Sequence, residues 1–455
     1  MASKLPPALI RSLIEEYHIE DQAFIETHTN GDQLTSIRLN PLKPINAFSE
    51  AEKMPWCNNG RYLTERPSFT ADPLFHAGCY YVQEASSMFL EQVLKNTLDL
   101  NENIKVLDLC AAPGGKSTLI SSLLTKDSLL LANEIIKTRV PVLCDNLNKW
   151  GPENTFVSNN DPKDFKRLEG YFDAIVVDAP CSGSGMFRKD PAAIDEWSEA
   201  AVLLCSQRQQ RILADIMDSL KQNGILIYST CSYSKQENED ISDWLCETFE
   251  LENVRIPIED SWGIVETQSD QHKSYGYRFY PHKVKGEGFF IAAFKKKSVS
   301  AIPQIRRAKE NGVNTKSNEI LNKWLNESPD LRKVNINEEF FAIPAKLEAD
   351  LQYLQSRLYL KKSGIRIGKV MGKDLVPNHE LAVSLVNNVN TYRINLNRDQ
   401  SISYLKREEL KIESEHRGWA LMCFESYPLG WAKILDNRIN NYFPKEIRIT
   451  NPNVI

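Results

Sequence analysis

The strongest constraint on the fold of this chain is an alternation of short apolar runs with helical segments that begins at residue 104. Strands are predicted at 104–108, 129–132, 155–157, 174–177 and 225–228, with helices at 117–124, 138–149 and 196–220 between them. These strands are continuously apolar rather than alternating, so both faces of each are buried. Parallel strands need helical crossovers, and the crossovers cover both faces of the sheet. The pattern therefore predicts an α/β, Rossmann-like fold with a mostly parallel sheet. A later apolar run, 289–294, is expected to add an antiparallel edge strand.

The flanks read differently. Residues 1–100 form a front end with helices expected at 9–17 and 83–95 and mixed β character over 38–75, which is rich in Pro and Asn. A basic linker is placed at 295–315, followed by helices at 318–325 and 345–355. Near the C-terminus, 420–424 and 429–434 flank a four-residue turn and predict the hairpin of a small β domain. The expected divisions are 1–100, 101–298, 299–390 and 391–455.

Charge and cysteine content limit the function classes. The 455 residues carry 55 basic and 60 acidic side chains, a net charge of −5, so any nucleic-acid contact must come from local patches. Two stretches are basic without an acid. One holds Lys295, Lys296, Lys297, Arg306, Arg307 and Lys309; the other holds Lys361, Lys362, Arg366, Lys369 and Lys373. They read as solvated linkers and faces or as RNA-facing patches. Nine cysteines show no CxxC pair and no Cys/His cluster, which argues against a metal site. No apolar run reaches the roughly 20 residues of a membrane span, and the N-terminus does not read as a signal peptide. A reducing cytoplasmic setting is expected.

Three segments carry the chemistry. The first is Asp108-Leu109-Cys110-Ala111-Ala112-Pro113-Gly114-Gly115-Lys116, a glycine turn between a strand and a helix. Such a turn lets backbone approach a nucleotide-like cofactor, and the helix start supplies free N–H groups. Glu134 follows the next strand, 20 residues past Gly114, at the offset of a ribose-binding acid. Asn160-Asp161 follows the third strand, where an acid or amide suits adenine. Gly115-Lys116-Ser117 also matches the end of a P-loop, but Cys110 replaces its first glycine and Pro113 interrupts the backbone donors needed for phosphates. Adenosylmethionine has no phosphate and needs no such cradle.

The other two segments are Asp178-Ala179-Pro180-Cys181 and Ser229-Thr230-Cys231-Ser232, each just past a strand. The carboxyl edge of an open α/β sheet is where ligands bind. Two thiols there suit methylation of a pyrimidine at carbon 5, which becomes nucleophilic only after a thiolate adds to carbon 6. Cys57, Cys79, Cys144, Cys205, Cys246 and Cys423 read as small hydrophobes.

Together with Tyr81-Val82-Gln83-Glu84-Ala85-Ser86-Ser87, these segments resemble the Nol/Nop/Sun (NSUN-type) RNA 5-methylcytosine methyltransferases over about 103–294. The resemblance implies a class I methyltransferase core with a seven-stranded sheet and S-adenosyl-L-methionine as cofactor. It implies Cys231 as nucleophile, Cys181 in product release and Asp178 near the base. The implied cofactor contacts are Cys110, Ala111, Ala112, Pro113, Gly114, Gly115, Lys116, Glu134, Asp161 and Asp178, with no metal. Met186-Phe187-Arg188-Lys189-Asp190-Pro191 and the tail resemble the bacterial RsmF/YebU-like subgroup. That implies an N-terminal α+β RNA-binding module, a C-terminal PUA-like domain and 16S ribosomal RNA, or the small subunit, as partner. No membrane or DNA partner is expected, and the chain is expected to be a monomer. Arg188 and Lys189 are candidates for phosphate contact. Ser184 stands where many relatives carry Glu. Transfer RNA as substrate, and a non-catalytic ribosome-assembly factor, are the alternatives.

Overall fold

The computed structural model describes residues 5–29, 34–306, 313–326 and 328–451. Its centre is a sheet with seven core strands: β1 Lys105–Asp108, β2 Leu129–Asn133, β3 Thr155–Ser158, β4 Phe172–Asp178, β5 Leu220–Thr230, β6 Tyr275–Phe279 and β7 Phe289–Lys296. Their spatial order is β3-β2-β1-β4-β5-β7-β6. The first five pair in parallel. β7 runs antiparallel to both β5 and β6, so β6 points the same way as the first five. The mostly parallel α/β sheet expected from sequence is present.

Three further strands extend the sheet to ten. Val265–Gln268 borders β6, Leu360–Ser363 borders β3, and Leu251–Val254 pairs with β7. β7 is thus an interior strand, not the edge expected from sequence. Its residues Phe289 to Phe294 are all buried, and an exposed row of that kind would template aggregation. The outer strands carry Glu266 and Gln268 on one side and Lys361 on the other.

Alternate residues of each strand face opposite cores. Leu107, Ile175, Val177, Leu226, Tyr228, Phe290 and Ala292 face one; Val106, Ala174, Val176, Ile225, Ile227, Ile291 and Ala293 face the other. The first core is completed by Ile343, Leu351 and Leu354 from the segment after the sheet, the second by Trp56, Met88, Phe89 and Val93 from the front end.

The crossover helices are α1 Gly115–Leu123, α2 Val140–Trp150, α3 Glu199–Ile216 and, after β5, α4 Glu239–Thr248. The single helix expected at 196–220 is broken. Ser198 leaves helical geometry to cap α3, its Oγ accepting from Ala201 N at 3.1 Å, and Leu220 already opens β5. The helix expected at 83–95 starts late, as a 3-10 turn Ser86–Phe89 followed by Leu90–Thr97. Glu84 delays it by accepting from Ser86 N and Ser87 N at 2.9 and 2.8 Å.

The tail builds one of three small four-stranded sheets, from Arg393–Asn395, Gly418–Phe424, Tyr427–Ile434 and Ile439–Asn441, and the predicted hairpin is its centre. It shares a core with the front end, where Ile37, Leu74 and Tyr80 meet Leu405, Met422 and Leu429. Among the described residues no helix is long and apolar enough to cross a membrane, and no acid, His or Cys group is arranged to hold a metal.

The basic stretches prove mixed. Strand alternation buries Lys296, whose Nζ donates to Met217 O and Leu220 O at 2.9 and 2.8 Å. Lys362 is likewise buried, bonded to Gly364 O at 2.6 Å and Glu380 at 3.0 Å. Arg366 lies between Glu339 and Glu380, 3.5 and 3.7 Å away. Neither stretch is therefore a uniform RNA-facing surface. Arg307 and Lys309 lie outside the described residues.

One buried cation joins three parts of the chain. Lys43 Nζ donates to Ala77 O, Lys149 O and Val383 O at 2.9, 2.6 and 2.7 Å, using all three of its protons. Burial lowers its pKa to about 8. Lys43→Met should destabilise the fold by about 2–4 kcal/mol, because three buried carbonyls lose a charged donor. Urea denaturation checks this; an unchanged midpoint would refute it.

Candidate active site

The glycine turn joins β1 to α1 and is pinned on both sides. Leu109 N donates to Val176 O of β4 at 2.9 Å, and Ala111 N to Asn133 O of β2 at 2.8 Å. Its carbonyls are taken up by α2 and the residue before it: Ala112 O accepts from Arg139 Nη2 at 2.5 Å and Pro113 O from Asn146 Nδ2 at 2.8 Å. Gly114 adopts φ 115°, a left-handed conformation that a side chain would strain. α1 then starts with its first N–H groups unspent.

Cys110, Ala111, Ala112, Pro113, Gly115 and Lys116 line one side of a cavity of about 400 Å³; Asp178, Met186, Cys231 and Phe289 line another. Lys116 Nζ does not stand free as a phosphate ligand. It bonds Asp178 Oδ2 at 2.8 Å. Burial works against its charge, but Asp178 outweighs burial and raises the Lys116 pKa. The other oxygen of Asp178 accepts from Ser229 Oγ at 2.8 Å.

Asp108, fully buried at the end of β1, accepts from Ser117 Oγ at 2.6 Å. Burial pushes its pKa up from 3.8 to about 7. Between those two values the folded chain holds a proton that the unfolded chain has lost, so stability falls as pH rises through this window. Asp108→Asn should remove that slope, worth on the order of a few kcal/mol between pH 4 and 8. Urea midpoints at the two pH values check it; parallel slopes in both proteins would refute it.

The two cysteine loops leave adjacent strand ends, because β4 and β5 are neighbours with Asp178 opposite Ser229. Cys181 Sγ and Cys231 Sγ lie 3.0 Å apart. The loops are interlocked through backbone: Gly185 N donates to Cys231 O at 2.8 Å, and a Cβ on Gly185 would stand 2.4 Å from Gly288 O. The hydrogen bond to Cys231, then burial, raise the Cys181 pKa well above that of an ordinary thiol.

Sequence reasoning missed the group that ties these loops together. Glu237 accepts from Ser182 N at 2.7 Å, Ser182 Oγ at 2.6 Å, Gln209 Nε2 at 3.4 Å and Ser232 Oγ. One fully buried carboxylate thus clamps the residue after each cysteine. Burial raises its pKa, while these donors pull it down. Asn238 assists: its Oδ1 accepts from Thr230 Oγ1 at 2.6 Å and its Nδ2 donates to Ser232 O at 2.8 Å. The adjacent Glu-Asn pair six residues past Cys231 was the only local signal. Glu237→Gln puts an N–H against these donors and should cut turnover about 100-fold by misplacing the thiols. Cofactor affinity, measured by calorimetry, should change little; full turnover would show that the clamp is dispensable.

Other predicted residues are placed differently. Glu134 and Asp161 stand at the carboxyl ends of β2 and β3, but neither is on the cavity wall. Glu134 accepts from Ile136 N at 2.8 Å and faces Arg139 at 3.5 Å; Asp161 caps the 3-10 segment Pro162–Leu168. Arg188 is not an exposed phosphate ligand. It is 8% exposed and faces Glu287, with 3.9 Å between them. Ser184 is buried and accepts from Tyr233 N at 2.9 Å.

The cavity volume suits a nucleoside-sized ligand. One lining residue, Gln83, has a buried Nε2 without a hydrogen-bond partner among the described residues. The residues present thus fit a methyl-donor nucleoside with a polar tail.

Comparison with known proteins agrees with this geometry. Residues 95–295 match the family model described as 16S rRNA methyltransferase RsmB/F, residues 5–85 the N-terminal domain of 16S rRNA methyltransferase RsmF, and residues 391–449 the methyltransferase RsmF PUA domain. The chain is similar to the ribosomal RNA small subunit methyltransferase F of Salmonella paratyphi A, 30% identical over 87% of this chain and 84% of that protein. It is 28% identical to that of Aliivibrio salmonicida over 90% of each. Among solved structures, a methyltransferase homolog from Pyrococcus horikoshii is 26% identical with TM-score 0.54, covering 64% of this chain and all, 100%, of that one. NSun6 from the same organism, solved with SFG, is 19% identical with TM-score 0.54 over 66% of this chain and 100% of its own, which is a likeness of fold.

Proposed function

The chain belongs to the ribosomal RNA small subunit methyltransferase F family, and from that premise we propose that it methylates carbon 5 of a cytosine in 16S ribosomal RNA. The observation that carries the proposal is the pair of thiols 3.0 Å apart, one of them on the wall of the cavity that the glycine turn also lines. A methyltransferase acting on nitrogen or ribose oxygen has no use for a second thiol. Carbon 5 chemistry needs one sulfur to add and a group to help it leave.

S-Adenosylmethionine, when bound, supplies an electrophilic methyl group on a sulfonium. Cys110 to Lys116 would hold its amino-acid end; Glu134 and Asp161, beyond the cavity wall at the same sheet edge, would take its ribose and adenine. The sulfur of Cys231, as the thiolate, adds to carbon 6 of the base. The electron pair pushed onto carbon 5 would take the methyl group as its bond to the sulfonium sulfur breaks and S-adenosylhomocysteine leaves. A base then removes the carbon 5 proton, and the Sγ–carbon 6 bond breaks to return the thiolate. Cys181 assists that last step. Asp178 would lie near the ring nitrogen, and Lys116, the cation paired with it at 2.8 Å, would offset the negative charge that addition creates. The base must be unstacked to reach Cys231, at a cost of a few kcal/mol. The front end and the PUA domain supply the RNA contacts.

The test is transfer of labelled methyl to small ribosomal subunits, to naked 16S RNA and to transfer RNA, with the labelled nucleoside identified. 5-Methylcytidine in ribosomal RNA or subunits is expected. Label confined to transfer RNA would change the substrate and keep the chemistry. Cofactor binding with no label anywhere would favour a non-catalytic assembly factor.

A further inference from the structure

We propose that the first two helices of the front end are positioning elements for Cys231 and not an RNA-binding surface; this rests on the reading of Cys231 as nucleophile above. The helices are Pro7–Tyr17 and Asp21–Thr29. Their apolar faces enter a core of their own, where Leu9, Leu13, Ile19 and Phe24 pack with Phe187, Tyr233 and Tyr280. Phe187 lies six residues past Cys181, and Tyr233 two past Cys231. The helices are therefore seated on the segments that leave both cysteines.

Tyr233 is the point of attachment. It is buried, and held at its N–H, its carbonyl and its ring. The N–H donates to Ser184 Oγ at 2.9 Å, which ties it to the Cys181 loop. The carbonyl accepts from Arg278 Nη1 at 2.8 Å. The ring meets Phe24 edge-on, 5.2 Å between centroids, and stacks on Tyr280 at 5.8 Å. Gly288 passes so close that a Cβ there would overlap the ring. Two peptide bonds separate Tyr233 from Cys231, so a displaced Tyr233 carries the nucleophile with it.

Arg278 makes that attachment depend on the front end. It is 1% exposed and pairs with Glu239, Nε to Oε1 at 2.7 Å. Its Nη2 donates to the Tyr17 hydroxyl at 2.7 Å, and its guanidinium lies 3.9 Å over the Tyr17 ring. The Tyr17 hydroxyl donates in turn to Glu239 Oε2 at 2.8 Å, closing the circuit. Desolvation offsets much of the attraction in a buried ion pair, so what such a pair fixes is geometry. Here it fixes the carbonyl of Tyr233 against the last residue of the first helix.

The outward faces of these helices do not suit RNA. Glu15, Glu16, Glu20 and Glu26 are exposed there against Arg11. A surface that binds phosphates carries the opposite charge. Helices that are acidic outside, apolar inside and bonded to the loop after the nucleophile complete the catalytic site. The RNA contacts of the front end fall to its later residues.

The test separates turnover from RNA binding. Phe24→Ala in the full-length chain should lower kcat about tenfold or more, as misplacement of a reacting group does, while KM for RNA stays within about threefold. Phe24→Leu, which keeps an apolar side chain against Tyr233, should recover most of the turnover. Tyr17→Phe keeps the ring on Arg278 and removes only the hydroxyl; it should lower kcat about threefold, again without raising KM. Alkylation of Cys231 by iodoacetamide without RNA, read by mass spectrometry between about pH 6 and 9, should change in rate about threefold or more in Phe24→Ala. A raised KM with unchanged kcat would overturn the proposal and make the helices an RNA surface. Unchanged kcat and unchanged alkylation in both Phe24→Ala and Tyr17→Phe would overturn it too. Should Phe24→Ala fail to fold, kcat and alkylation of Tyr17→Phe decide. Methylation retained by Cys231→Ala would instead remove the nucleophile reading, a failure the alkylation measurement does not share.

Discussion

Cys231→Ala is expected to abolish methyl transfer to cytosine, lowering turnover by roughly 10⁴-fold or more, as loss of a catalytic nucleophile does. Without Sγ no electron pair reaches carbon 5, and the rest of the site has nothing to act on. Adenosylmethionine should still bind, because the turn from Cys110 to Lys116 is held by β2, β4 and α2 rather than by the cysteine loops. Labelled-methyl incorporation together with calorimetry separates the two effects. Retention of 5-methylcytidine formation by this variant would exclude Cys231 as the nucleophile.

Cys181→Ala should do the opposite: the first half of the reaction proceeds and the enzyme is caught on its product. The expected observation is a protein–RNA adduct that survives denaturant and migrates as a shifted band. It should be absent from wild type and from the Cys181→Ala/Cys231→Ala double variant. The asymmetry follows from the pair itself. The two sulfurs are 3.0 Å apart, and the Cys181 pKa is raised first by its hydrogen bond to Cys231 and then by burial. Cys181 is thereby held as a neutral thiol beside the sulfur that attacks. If the Cys231 variant forms the trapped adduct and the Cys181 variant is inert, the roles are reversed.

Much of the site was legible because each part is contiguous in the chain. The cofactor turn, the Pro-Cys loop and the Thr-Cys loop are each a few residues long and follow an apolar strand, so position at the carboxyl edge could be read directly. Helix starts were less legible. Ser198 and Glu84 shift them by local side-chain bonds that compete with the helix, and propensity alone does not weigh that competition. The basic stretches were misread for a related reason. Counting lysines ignores the strand period that sends Lys296 and Lys362 inward.

What the amino-acid order determined by itself is the class of fold and the separate parts of the candidate site: short doubly buried strands between helices, a glycine turn and two thiols after strands. These depend on local periodicity and on the reactivity of single residue types. Tertiary structure alone decided which residues act together. β4 and β5 had to be neighbours for Cys181 and Cys231 to meet across 50 positions of chain. Glu237 reaches Ser182 across 55 positions and Arg38 reaches Gln83 across 45. Such contacts leave no periodic trace, because a hydrogen bond depends on a few tenths of an ångström in space and not on separation along the chain.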